Sequence, residues 1–327
     1  MGQAKVSIII PVYNGADYLS QAIDSALAQT WKNKEIIVVN DGSNDQGATE
    51  RIAQGYGSRI RYFRKENGGV ASALNLGIRE MTGEYFSWLS HDDLYLPRKI
   101  EHQMKLLQRC GDPKQIVAGG YYIVNADKQP LGLMDFYQLY PKEKLETPLF
   151  PLFHCAVNGC TMLIHKSHFE RVGVFDEGLP TTQDYDLWFR MLRGQRLIYD
   201  KRINVLSREH NQQTSQLAKA KHEHECTVLW TELLNQLTEA ERIEMAGSSI
   251  SFYIDMYRHF SQRTSYGSIS DLLLKKCDGK AVYEKLPAQP LPLGWKRWLF
   301  KWQLSLMDTM THKAERPTMK SQPLRRG

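Results

Sequence analysis

Apolar residues along the first ninety positions fall into two alternating rhythms. Apolar-rich runs at 5–10, 35–39, 60–63 and 85–89 predict strands. The first of them reads as a parallel strand buried on both faces and ended by Pro11. Between the runs, Leu19, Ile23, Ala26 and Leu27 recur at helical spacing. They predict a helix over 18–29, with Asp17 as its cap after an Asn14-Gly15 turn. A second helix is expected over 70–81, opened by Glu66-Asn67-Gly68-Gly69. Strand, helix, strand, loop, strand, helix, strand is the order of an α/β fold with a mostly parallel sheet flanked by helices.

The pattern continues with a helix over 97–110 carrying Ile100, Met104 and Leu107 on one face, Pro97 fitting its first turn. Strands are expected at 116–124, 158–164 and 204–207, and helices around 168–172 and from Leu187 onward. Residues 125–151 are Pro-rich, aromatic and irregular, which suggests a mobile loop. Beyond 215 the chain reads as helical, with Leu229, Leu233 and Leu237 in register on one long helix over 218–245 and shorter helices at 250–260 and 269–277.

Chemistry concentrates where the fourth strand ends. The run Phe86 to Leu89 leads into Ser90-His91-Asp92-Asp93. Adjacent carboxylates repel, so a buried strand end holds both only with a cation. Oxygen ligands there suit Mg²⁺ or Mn²⁺, which in turn suit a diphosphate. A plain Asp-Asp turn with a capping role is the competing explanation. Tyr13, Asp41 and Asp92-Asp93 all fall at carboxyl ends of expected strands, where open α/β sheets bind ligands. Neither G-x-x-x-x-G-K-[ST] nor G-x-G-x-x-G occurs. Asn67-Gly68-Gly69 at a helix start either presents N–H groups to an anion or forms an ordinary glycine-rich turn.

Five ordered stretches carry a family resemblance: 6–14 (Val-Ser-Ile-Ile-Ile-Pro-Val-Tyr-Asn), 25–30 (Ser-Ala-Leu-Ala-Gln-Thr), 37–43 (Ile-Val-Val-Asn-Asp-Gly-Ser), 66–69 and the Asp92-Asp93 stretch. Over about the first 215 residues the chain resembles family 2 glycosyltransferases, which are inverting enzymes of GT-A fold. The resemblance implies that Tyr13 packs on a nucleotide base and Asp41 accepts from the base. It places Asp92 near the ribose and metal, and makes Asp93 a ligand of the metal bridging the diphosphate. Pro11, Asn67 and Gly68 lie in the same donor-binding motifs. Asp184 matches the family's catalytic base, at the start of an expected helix whose dipole favours the ionised carboxylate. His210, in the closing loop 208–215, completes the metal or diphosphate site.

Two positions depart from the family. Ser90-His91-Asp92-Asp93 stands where Asp-x-Asp-Asp is common, and Gln183-Asp184 where Glu-Asp is usual. The first removes one carboxylate from the metal, and the second removes a charge beside the acceptor. The implied activity is transfer of a sugar from a nucleotide diphosphate donor, UDP-linked, to a hydroxyl of a saccharide or lipid-linked saccharide in cell-surface polysaccharide synthesis. The cofactor is Mn²⁺ or Mg²⁺, and the irregular 125–151 stretch would shape the acceptor side. The rival function is a nucleotide-sugar-binding module without turnover.

This divides the chain into a donor half (1–110), an acceptor half (111–215), a helical extension (216–294) and a tail (295–327). Composition is that of a globular protein, 42% apolar and 24% charged. The net charge of +6 resides entirely in the tail, which carries eight basic and two acidic residues. Three tryptophans and three cations within 295–302 read as a helix for an anionic membrane surface, or as one docked on the catalytic domain. With no nucleic-acid module, the basic tail is a weak case for nucleic-acid binding. Five irregularly spaced cysteines, no leader pattern and no long apolar span fit a reduced, cytoplasmic protein, peripheral to the membrane at most.

Overall fold

The computed structural model describes residues 4–210, 213, 219–261 and 267–277. The tail, with the expected membrane helix at 295–302, lies outside the described residues. Among those residues no helix is long and apolar enough to cross a membrane.

The donor half runs β1 (Val6–Val12), α1 (Leu19–Leu27), β2 (Lys34–Asp41), α2 (Ala48–Gln54), β3 (Arg61–Lys65), α3 (Gly69–Glu80), β4 (Tyr85–Trp88), β5 (Leu94–Tyr95) and α4 (Lys99–Cys110). The acceptor half follows with β6 (Ile116–Gly119), β7 (Tyr121–Val124), β8 (Pro130–Met134), α5 (Lys142–Leu145), α6 (Phe150–Phe153), β9 (Ile164–His165), α7 (Ser167–Val172), α8 (Gln183–Leu192), β10 (Leu197–Asp200) and β11 (Val205–Arg208). The extension supplies α9 (Lys219–Gln236), α10 (Glu239–Ala246), α11 (Ser249–Ser261) and α12 (Gly267–Lys276).

The main sheet has the order β3-β2-β1-β4-β9, with the first four strands parallel and β9 antiparallel. All seven residues of β1 are buried, as its unbroken apolar run requires of a central strand. Pro11 does not end that strand. Ile9 turns its carbonyl to Leu89 on the β4 side, and Pro11, two residues on, faces the same side past the last β4 residue in register. A missing N–H there leaves no ladder bond unmade.

Several local expectations give way to tertiary structure. Asp17 does not cap α1, whose N-cap residue Tyr18 makes no side-chain cap bond. Pro97 precedes α4 rather than lying inside it, and α2 occupies part of the expected loop after β2. The apolar run 116–124 is two strands in two sheets, β6 beside β10 and β7 between β11 and β8. A Cβ at Gly120 would collide with the Met134 carbonyl, so glycine marks the corner where the chain changes sheet. The run 158–164 is largely a 3-10 turn followed by short β9.

Residues 125–151 are not a loose loop. They form β8, α5 and the start of α6, and bury Phe136, Leu145, Leu149 and Phe150 in the main core. The helix expected over 218–245 breaks at Thr238. Its hydroxyl accepts from the Glu241 N–H while the Glu241 carboxylate accepts from the Thr238 N–H, a capping box that starts α10. Trp230 of α9 packs on Phe153 and Tyr185 at 5.4 Å from each, so the apolar core continues from the sheet into the extension.

Candidate functional site

The carboxyl ends of β1, β2, β3 and β4 form one edge, and loops from β1 and β2 are knitted there. Asn14 and Asn44 exchange two hydrogen bonds of 2.7 and 2.9 Å, and the Asn14 N–H donates to Ser43. The Gly15 N–H donates to Thr49, held in turn by Asp45. Tyr13, the first residue after β1, is 44% exposed, a large ring left open on this edge. Pro11 is buried within β1 and supplies shape rather than a polar contact.

Asp41 ends β2 and is buried. One carboxylate oxygen accepts from Lys65 at 2.8 Å and from the Gly68 N–H at 3.0 Å; the other accepts from the Gly69 N–H at 2.7 Å. The N–H groups at the start of α3 therefore do bind an anion, and the anion is Asp41. Gly68 is not free to hold a phosphate. A carboxylate has about four acceptor positions, so three donors leave Asp41 one more bond to make. Beside it lies an open recess of about 540 Å³ lined by Gly42, Arg64, Lys65, Glu66 and Asn67. Lys65 has no motif of its own; its place at the end of a strand in register with Asp41 is what brings it here.

Asp92 and Asp93 are both buried just past the end of β4. The Asp93 carboxylate accepts from the Arg208 N–H at 2.8 Å. Burial, with the Asp92 charge adding to it, pushes the Asp93 carboxyl well above the usual carboxylate range. Asp92 meets His210, Nε2 to Oδ2, at 3.0 Å. The two expected metal ligands, Asp93 and His210, are thus not a pair: His210 faces Asp92, and Asp93 points inward at β11.

Arg208 underlies the arrangement. Its buried guanidinium donates to the Asp92 carbonyl at 2.8 Å, to the Ala126 carbonyl and to Gln21 at 3.0 Å, and lies 4.3 Å over the Tyr18 ring. The Tyr18 ring in turn lies 5.0 Å from that of His210. Arg208→Met strands three acceptors and is expected to lower stability by about 2–4 kcal/mol. Urea denaturation checks this, and Arg208→Lys should restore only part, lacking the fork of donors. Beneath the same loop, buried Lys99 donates to Ser87 at 2.9 Å and to the Met162 carbonyl, and burial draws its ammonium down to about 7. Neither residue carries a sequence signal, because partners 12 to 187 positions away create its role.

Asp184 is the second residue of α8, partly exposed yet surrounded by protein, and burial raises its carboxyl to about 6 despite hydrogen bonds from backbone N–H groups. An aromatic chain ties α8 to the crevice. Trp88, last in β4, packs 6.0 Å from Phe175, and Phe175 packs 5.7 Å from Trp188. Gly159 lies flat against Trp88, where any Cβ would strike the indole. Asn75 of α3 clamps the segment before α8, bonding the Phe175 N–H, the Phe175 carbonyl and Glu177 at 2.9–3.0 Å.

A family model described as Glycosyl transferase family 2 matches residues 7–173. An uncharacterized glycosyltransferase of Rickettsia typhi is 49% identical over 277 residues, covering 85% of this chain and 86% of the relative. Another, of Rickettsia conorii, is 50% identical over 267 residues, 82% of this chain but 44% of the relative, so the chain spans less than half of that longer protein. Among solved structures, S. aureus TarS residues 1–349 in complex with UDP-GlcNAc superposes with a TM-score of 0.58 at 16% identity, covering 82% of this chain and 83% of TarS 1–349. At that identity the likeness concerns the fold, which is of GT-A type. With the strand-end motifs inside the matched region and 49% identity to the R. typhi relative over most of both chains, the chain belongs to glycosyl transferase family 2.

Proposed function

We propose that the chain transfers a sugar, with inversion, from a UDP-linked donor to an acceptor hydroxyl of a cell-surface saccharide or glycolipid. The observation that carries this reading is the shared crevice: exposed Tyr13, Asp41 with one acceptor position left, and the Asp92–His210 pair stand at adjacent strand ends. The base would stack on Tyr13 over the recess beside Asp41, with Lys65 and Arg64 close to its polar edge.

Asp92 Oδ2 would supply the oxygen donor that Mn²⁺ or Mg²⁺ prefers, and His210 Nε2, 3.0 Å away, would be the second protein donor. Among the described residues no group of three or more His, Cys, Asp or Glu could hold an ion. With so few protein donors, diphosphate oxygens and water would have to complete the ion's shell. The ion, when bound, offsets charge developing on the leaving diphosphate. Asp93 would act behind Asp92, fixing the loop through Arg208.

Asp184 takes the acceptor hydroxyl's proton as that oxygen attacks the anomeric carbon, and the bond to the diphosphate breaks in the same displacement. A single displacement inverts the carbon and needs no enzyme nucleophile. A carboxyl raised to about 6 is a stronger base than an ordinary aspartate and remains ionised at neutral pH.

UDP, UDP-glucose and UDP-GlcNAc with Mn²⁺ should each raise the melting temperature, and ADP should not. At a hundredfold excess over Kd the gain is about 2.7 kcal/mol, or several degrees. Stabilisation by ADP equal to that by UDP would remove the uridine assignment.

A further inference from the structure

We infer that the helical extension belongs to the transfer machinery: Glu225 of α9 is a positioning residue that fixes the first turn of α8, and Asp184 with it. This rests on the reading of Asp184 as the base.

The body of α8 needs no outside help, since Leu187, Trp188, Phe189, Met191 and Leu192 bury it in the core. Its first turn is different. Thr182 is the N-cap residue and fully buried, yet its hydroxyl makes no cap bond. It donates instead to Glu225 Oε1 at 2.7 Å, and the same oxygen accepts from the Thr181 N–H at 2.9 Å. One carboxylate from the extension thus holds two consecutive residues immediately before Gln183 and Asp184. The Thr181 hydroxyl and the Gln183 side-chain amide oxygen are buried without a hydrogen-bond partner among the described residues, so little else polar there pins this turn.

The far end of α8 is tied to the extension as well. Arg193 forks onto Glu241 at 2.6 and 3.0 Å and donates to the Gln236 carbonyl at 3.0 Å. Between the two ends, Tyr185 packs on Trp230. The helix carrying the base is therefore gripped at both ends by α9 and α10. Bonds to a carboxylate are about twice as strong as neutral ones, and a misplacement of about 1 Å at a reacting group costs up to about a hundredfold in rate. Glu225 thus acts on rate through Asp184 without touching donor or metal.

The test compares Glu225→Ala, Glu225→Gln and Thr182→Val with the unmodified chain. In Glu225→Ala, amide hydrogen exchange at 181–187 should speed about tenfold or more, with sheet amides unchanged. The kcat for UDP release from UDP-GlcNAc, with water as acceptor, should fall about tenfold or more while the donor KM stays within about twofold. Glu225→Gln keeps an acceptor oxygen and should recover most of both. Should Glu225→Ala fail to fold, Thr182→Val, which removes one of the two bonds, carries the same expectation at smaller size. Unchanged exchange at 181–187 in Glu225→Ala, or in Thr182→Val if only that variant folds, overturns the inference. Asp184→Asn measured alongside separates the two readings. Normal turnover by that variant overturns the base assignment, whereas a slow Asp184→Asn beside an unslowed Glu225→Ala overturns the positioning role alone.

Discussion

Asp184→Asn is expected to fold, to bind UDP as the unmodified chain does, and to transfer sugar at least about a hundredfold more slowly. Loss of a general base costs about 10² to 10⁴ in rate, whereas altering a residue in the first turn of a helix costs stability of about 1 kcal/mol or less. The pH profile gives an independent reading. Burial raises this carboxyl to about 6, and only the ionised form accepts a proton. Transfer by the unmodified chain should therefore hold above that pH and fall as pH drops through it. A carboxyl raised on folding favours the protonated state, so its stabilising contribution is present at low pH and lost as pH rises through about 6. The Asn variant should consequently be at least as stable as the unmodified chain at neutral pH, which separates lost rate from lost fold. A variant that turns over normally, or an unmodified profile with no acid limb near 6, removes Asp184 from the chemistry.

Asp92→Ala is expected to remove the benefit of Mn²⁺ for UDP binding. Calorimetry should find UDP affinity in Mn²⁺ reduced to the level seen with chelator, a loss of about tenfold or more. Asp93→Asn should behave quite differently. The Asp93 carboxylate accepts from the Arg208 N–H on the inward side, a bond that the amide oxygen can keep, so the metal response should survive. The contrast discriminates between the two adjacent acids, one facing His210 and the other the Arg208 N–H. Equal UDP affinity in Mn²⁺ and in chelator, with the unmodified chain, would show that no ion takes part in donor binding.

Much of this protein was legible from the chain alone, and each success has a local cause. Uninterrupted apolar runs such as Ile8-Ile9-Ile10 can be buried only in a covered sheet, so β1, β2 and β4 and the helices between them follow from hydrophobic period. In a parallel sheet all carboxyl ends lie on one edge, so that order also brought Tyr13, Asp41 and Asp92 together. Pairings between distant elements had no such local cause. Arg208 reaches Gln21 across 187 positions, and Glu225 reaches Thr182 across 43, although nothing in the composition of either stretch marks it. The upward push on the Asp93 carboxyl is likewise a product of burial, and burial is a property of the assembled core rather than of the Asp-Asp dipeptide. Period and turn chemistry act within a few residues and were sufficient to set strands, helices and the active edge. Which carboxylate meets His210, which N–H groups Asp41 already holds, and what grips the start of α8 were decided only when folding juxtaposed side chains far apart in sequence.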